Sequence, residues 1–164
     1  MKRLGVFLIV ISNYCYGQQT MIDSIRSEYS SANPQELAEV LRREGIRYKN
    51  QGLYKDAEEL YLESLRIYQE ESDSIGVSNV YNNLALIYSR LGKNQEALEK
   101  YYKAIEINKA ISNSPGLMKN YLNLGNFFLY LVRFNYFVFF LATTWFLCVC
   151  LSILCCNYVL TTSV

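Results

Sequence analysis

The chain has 164 residues and a formal net charge of +1, which allows one modest domain and gives no basic excess for nucleic-acid binding. It contains no histidine, so the commonest general base and metal ligand is absent. The sequence also has no phosphate-binding glycine loop, and its carboxylates are scattered among lysines and arginines. We therefore expect a protein that is not an enzyme, uses no cofactor or metal, and binds no nucleic acid.

Residues 1–17 have the pattern of a secretory signal peptide. Two basic residues precede an apolar run from Leu4 to Ile11, and Cys15 and Gly17 supply small residues before a cleavage site near Gln18. The apolar run is too short to span a bilayer. We expect this segment to be cleaved and the mature chain to be secreted across the cytoplasmic membrane and anchored to it, with its repeats facing the periplasm. The alternative is that a lipid is attached at Cys15, but the residues that precede Cys15 fit a lipid-attachment site poorly.

Residues 18–33 form an N-terminal helix and linker, and the chain then repeats itself over 34–131. The recurrence lies forty positions apart: Gly52, Ala57, Glu59, Tyr61, Leu65 and Ile67 return as Gly92, Ala97, Glu99, Tyr101, Ile105 and Ile107. A fixed period of this size is typical of stacked antiparallel helix pairs. We therefore predict an all-α fold, an α-solenoid with repeats at 34–73 and 74–113 and a partial repeat at 114–131.

Apolar residues at helical spacing locate the helices within each repeat. The predicted helices are A1 34–50, B1 54–71, A2 75–91, B2 94–111 and A3 115–131. Gly52 and Gly92 each end one helix and let the chain turn, and Gly76 and Gly116 mark the joints between repeats. Small residues such as Gly45 allow the two helices of a pair to approach closely.

The C-terminal part of the chain is apolar and carries no charge after Arg133. Residues 134–156 are long enough to cross a bilayer, with aromatic residues at the front edge, so we predict a hydrophobic transmembrane helix followed by a tail at 157–164. The repeat pattern fails just after Leu131. The alternative is therefore an aberrant end to a once longer array, as from a shifted reading frame.

The repeated positions resemble the tetratricopeptide repeat family, in which a large residue, Leu-Gly, Tyr, Gly, Ala, Tyr and Ala follow at fixed offsets. The second repeat carries Tyr81, Leu84, Ala85, Tyr88, Gly92, Ala97, Tyr101 and Ala104 at these offsets, and the first carries Leu41, Gly45, Tyr48, Gly52, Ala57, Tyr61 and Ser64. The period departs from the family's usual length of about 34 residues, because helix B is longer here. The resemblance implies a scaffold for protein–protein interaction.

Repeats between a signal peptide and a single span also resemble the extracytoplasmic sensor region of some bacterial membrane histidine kinases. We therefore expect a membrane-tethered adaptor or a sensory input domain. The alternative is a truncated or frame-shifted fragment of such a kinase, without its catalytic domains.

The resemblance further implies a peptide-binding groove on the inner face of the A helices. By offset, the candidate residues are Arg42, Asn79, Asn82, Asn83, Arg90, Lys119, Asn123 and Asn126. Asparagine side chains both donate and accept, which suits an extended peptide backbone, and basic residues can hold a carboxylate. Arg42, Asn83 and Lys119 fall at the positions with which some family members clamp a peptide's C-terminal carboxylate, but Ile46 and Asn123 break that pattern. A solvated polar face with no dedicated ligand is the alternative.

Overall fold

A computed structural model describes residues 21–162, with the side chains at 138, 142 and 145–162 left outside the description. The predicted signal peptide at 1–17 lies outside the described residues. Within them the chain is helical apart from short turns, and the all-α prediction is confirmed.

Six helices follow one another in the described part of the chain. Helix α1 covers 21–28. The others are α2 (Pro34–Asn50), α3 (Tyr54–Glu70), α4 (Ser74–Arg90), α5 (Asn94–Ala110) and α6 (Ser114–Thr162). The starts of α2 to α6 lie twenty residues apart, so each forty-residue period contains two helices of equal length. The prediction that only the second helix is lengthened is therefore wrong, because both helices of a pair have 17 residues. The predicted helix bounds agree within one residue, except that α6 continues through the predicted A3 and apolar segments without a break.

The four turns that connect α2 to α6 close in the same way. In each turn a backbone amide donates to the carbonyl five residues earlier, as Leu53 does to Tyr48 at 3.0 Å and Asp73 to Tyr68 at 2.9 Å. This is the bond of a Schellman motif, which satisfies carbonyls at the helix end. Such a turn needs a residue with positive φ, and Gly52 (φ 80°) and Gly92 (φ 73°) supply it after α2 and α4.

After α3 and α5 the residues with positive φ are serines, Ser72 and Ser112, both at 56°. Gly76 and Gly116, which the sequence places at the joints, instead lie within the first turns of α4 and α6. An added methyl group at Gly76 would meet the Tyr68 ring at 2.6 Å from Cε1. Gly76 is therefore small because a helix packs against it, and not because the chain turns there.

The first helix of each repeat, which we call the A helix (α2, α4 and α6), begins with a side-chain cap at the same point of the period. Asn33 Oδ1 accepts from the Glu36 amide at 2.8 Å, and Asp73 Oδ1 accepts from the Gly76 amide at 2.9 Å. Asn113 caps α6 likewise at 3.2 Å. A side-chain acceptor at this position satisfies an amide that has no partner within the helix.

The core lies between the paired helices. Helix α2 packs against α3, α4 packs against α5, and α3 packs on α4. The fully buried side chains include Leu41, Leu60, Tyr61 and Leu84. Helix α1 covers one end with Met21, Ile22 and Ile25, which pack on this core. Gly45 allows the close approach that the sequence predicts, because a methyl group there would lie 2.6 Å from the Tyr61 ring.

The chain divides within α6 into two units, one ending at Leu124 and one beginning at Gly125. The first unit contains the repeats. In the described part of the second unit, large apolar side chains such as Leu129, Tyr136 and Phe139 are exposed. By length and composition alone, the stretch Ser114–Leu141 could cross a membrane.

Candidate peptide-binding groove

The eight predicted residues lie on three A helices. Arg42 is on α2, Asn79, Asn82, Asn83 and Arg90 are on α4, and Lys119, Asn123 and Asn126 are on α6. The first seven belong to the repeat unit. Asn126 belongs to the second unit and is exposed.

Helices α4 and α6 bring four of these residues into direct contact. Lys119 Nζ donates to Asn79 Oδ1 at 3.4 Å, and Asn123 Nδ2 donates to Asn82 Oδ1 at 3.1 Å. Residues about forty positions apart therefore lie side by side, as the period predicts. These four side chains form a polar strip, which we call the Asn–Lys strip.

Asn82 and Asn83 lie deeper than an open polar face requires. Asn82 is 1% exposed and Asn83 is 5% exposed. Asn82 Oδ1 also accepts from Asn120 Nδ2 at 3.2 Å, so this carbonyl belongs to the packing between α4 and α6. The Nδ2 groups of Asn82 and Asn83 have no acceptor among the described residues. A buried donor without a partner costs about 1–3 kcal/mol, and both of these amides lie beneath the surface that a ligand could touch.

The strip continues inward as a buried network of asparagines. Asn108 Nδ2 donates at 2.5 Å to both Asn120 Oδ1 and Ser78 Oγ. Ser78 Oγ in turn donates to the Ala104 carbonyl at 3.1 Å. Tyr68 occupies the equivalent position one repeat earlier. The contact between α5 and α6 is therefore polar, whereas the contact between α3 and α4 is aromatic. Neither Asn108 nor Asn120 was predicted, because a single asparagine in a helix carries no signal of burial.

Arg42 is engaged within its own helix. Its guanidinium donates to both carboxylate oxygens of Glu39, at 2.6 and 2.8 Å, and Tyr68 donates its hydroxyl to the same carboxylate at 2.9 Å. Hydrogen bonding to Glu39 raises the pKa of Arg42, and the bond from Arg42 lowers the pKa of Glu39. Arg42 therefore already has an anionic partner within the chain and is less available to a ligand than an unpaired cation.

Three other cations lie near one another without this compensation. They are Lys49 on α2, Arg90 on α4 and Lys119 on α6, and none lies within 4.0 Å of a carboxylate among the described residues. Burial lowers the pKa of Lys49, and the charges of Arg90 and Lys119 lower it further. Burial also lowers the pKa of Lys119, followed by the charge of Arg42. Lys49 is not among the eight predicted residues.

Antiparallel helix pairs that recur every forty residues define the first unit as a helical-repeat scaffold of the α-solenoid class. Residues 31–110 match the family described as Tetratricopeptide repeat. This part of the chain therefore matches the tetratricopeptide repeat family, and the resemblance drawn from its sequence is confirmed. The further resemblance to kinase sensor regions stays a prediction.

A solved structure with the same fold is that of BtubC (BKLC) from P. vanneervenii, with 27% sequence identity and a TM-score of 0.53. The match covers 59% of this chain and 40% of that one, so the present chain spans less than half the length of its structural relative. No curated protein matches the chain significantly. Tetratricopeptide repeats generally bind proteins or peptides and are non-catalytic interaction modules, which gives this chain its broad class of function.

Proposed function

We propose that the repeats hold an extended peptide segment of a partner protein against the inner face of α2, α4 and α6. The observation that carries this proposal is the Asn–Lys strip, formed by Asn79, Asn82, Lys119 and Asn123 on neighbouring A helices. Its accessible members are Lys119, which is exposed, and Asn79 and Asn123, which are half-buried, and they offer donors and acceptors at the spacing of adjacent helices. A peptide backbone presents both carbonyls and amides along its length, so it can satisfy such a strip without requiring one particular sequence.

Site-specific photo-crosslinking tests this placement. A photoreactive residue is introduced at Asn79 or Lys119, and the matched control carries it at Leu62, which is exposed on helix α3. We expect adducts with partner protein from positions 79 and 119 and none from position 62. Adducts of equal yield from position 62 would place the partner elsewhere on the repeats. The absence of adducts from positions 79 and 119 would refute the peptide groove.

We further propose that the chain is tethered to the membrane by the apolar part of α6, with the repeats on the periplasmic side. Supporting this, the sequence has no charge after Arg133, and the described side chains between 134 and 141 are mainly apolar and exposed. N-terminal sequencing of the mature chain should give a start at Gln18, and the protein should stay in the membrane fraction after a carbonate wash. A mature chain that still begins at Met1 would contradict cleavage of the signal peptide. Release of the protein by carbonate would contradict the membrane tether.

The narrower role of a sensory input region rests on the arrangement of repeats between two apolar segments. The competing possibility is a fragment of a sensor kinase whose reading frame has shifted. Sequencing the gene with its flanks separates the two, because kinase motifs in another downstream frame would favour the fragment.

A further inference from the structure

A second feature of the inner face lies at the C-terminal ends of α2 and α4. A pocket of about 270 Å³ opens there, lined by Lys49, Asn50, Tyr54, Leu86 and Arg90. Helix α2 supplies the first two residues, the start of α3 supplies the tyrosine, and α4 supplies the last two. We call it the Lys49 pocket.

The charges in this pocket are all positive. Lys49 and Arg90 both line it, and neither has a carboxylate within 4.0 Å among the described residues. Lys49 is half-buried, so water screens its charge incompletely. Other basic residues of the repeats, such as Arg42, Arg47 and Arg66, have glutamate partners on the same helix. The pocket is therefore distinguished by bringing two unpaired cations together at one concave site.

The remaining wall is partly apolar. Tyr54 and Leu86 are half-buried and present an aromatic ring and an aliphatic side chain beside the two cations. A bare inorganic anion would leave these groups without a partner. A carboxylate carried on a short aliphatic stem, next to other side chains, would fill both parts of the pocket.

We propose that the Lys49 pocket binds an aspartate or glutamate side chain within an acidic segment of the partner peptide. This rests on the proposed peptide groove and adds the class of sequence that the groove selects. A side chain fits better than a single chain terminus because a third uncompensated cation, Lys119, lies on α6 beyond the pocket. Cations distributed over three A helices match several carboxylates along a segment.

The test uses the purified full chain in non-ionic detergent and fluorescence anisotropy with three labelled peptides. The first is acetyl-Gly-Leu-Glu-Glu-Leu-Glu-Gly amide, the second has glutamine in place of each glutamate, and the third is the glutamine peptide with a free C-terminal carboxylate. We expect the glutamate peptide to bind about tenfold more tightly than either glutamine peptide, with the difference shrinking as salt is raised. Equal binding of the glutamate and glutamine amides, including no binding of either, overturns the proposal. Equally tight binding of the free-carboxylate peptide overturns it in favour of a terminus.

The matched variants are Lys49→Gln in the pocket and Lys109→Gln, which removes an equal charge at an exposed site on α5. We expect Lys49→Gln to lose most of the preference for glutamate and Lys109→Gln to keep it. Circular dichroism should show that both variants fold, since neither lysine has a carboxylate within 4.0 Å among the described residues. Equal effects of the two variants would mean that the preference for glutamate depends on net charge alone, and the proposed binding at the Lys49 pocket would be refuted. If crosslinking from position 79 persists while the glutamate preference is absent, only the pocket proposal fails and the groove remains.

Discussion

Replacing Gly76 by alanine should destabilise the repeats, although alanine is the better helix former. Gly76 lies in the first turn of α4, where an added methyl group would lie 2.5 Å from Cγ and 2.6 Å from Cε1 of the Tyr68 ring. The ring has little room to move, because Tyr68 is 4% exposed and its hydroxyl donates to Glu39 at 2.9 Å. Carbon atoms in favourable contact are about 3.5–4.0 Å apart, so α3 and α4 would have to separate by about 1 Å.

The size of the effect follows from two opposing contributions. Alanine gains up to about 1 kcal/mol over glycine within a helix. Overpacking a filled core costs about 1–3 kcal/mol, and a contact this short with a held ring belongs in the upper part of that range. The net loss is therefore about 1–2 kcal/mol, and each kcal/mol lowers the melting midpoint of a domain of about 100 residues by about 4–8 °C.

Urea unfolding of the full chain in non-ionic detergent, followed by circular dichroism, measures this loss. Gly125→Ala is the matched control, because a methyl group there meets nothing within 4 Å and should leave stability unchanged or raise it. The same Gly76→Ala change should cost less in a Tyr68→Leu background, where the ring is gone. A rise in midpoint like that of Gly125→Ala, or an equal cost in both backgrounds, would refute the contact between Gly76 and Tyr68.

Three further predictions concern the same unfolding midpoint. Ala97→Leu should cost about 1–3 kcal/mol, because Ala97 is fully buried at a small position of the repeat. Ser64→Ala should cost about 1 kcal/mol, because the buried Ser64 Oγ donates to the Ala38 carbonyl at 2.7 Å. Hydrogen bonds from arginines lower the pKa of Glu39 and Glu63, so their stabilisation is complete above the ordinary glutamate value of 4.5 and is lost as the pH falls through the lowered values.

Each of these predictions has its own control. An unchanged midpoint for Ala97→Leu would remove that residue from the helix contact. Adding Ala38→Ser to Ser64→Ala should recover stability, since the second repeat makes the same bond in the opposite direction, from Ser78 to Ala104. No recovery would mean that the two pairs are not equivalent. Glu39→Gln should weaken the acid dependence of the midpoint, and an unchanged pH profile would assign that dependence to other carboxylates.

The sequence by itself determined the helices and their order. The helical spacing of apolar residues and the glycines at 52 and 92 depend on interactions within about five residues, which a linear pattern displays directly. The forty-residue recurrence then shows that the same helix pair is repeated along the chain. The bounds of α2 to α5 therefore agree with the prediction to within one residue. The same period also placed Lys119 beside Asn79 and Asn123 beside Asn82, because equivalent positions of stacked repeats become neighbours.

Only the tertiary structure decided which polar residues remain available to a ligand. The sequence predicts Asn82 and Asn83 to be surface residues, yet both are buried. Helix α6 packs on α4 there, and Asn120, 38 positions away, donates a hydrogen bond to Asn82. The sequence predicted Gly76 to be a turn residue, whereas in the structure it lies in a helix and leaves room for the Tyr68 ring of the preceding helix. The Lys49 pocket likewise needs three helices to converge. Burial and the absence of a counter-ion depend on every neighbour in space, so no local pattern in the sequence can express them.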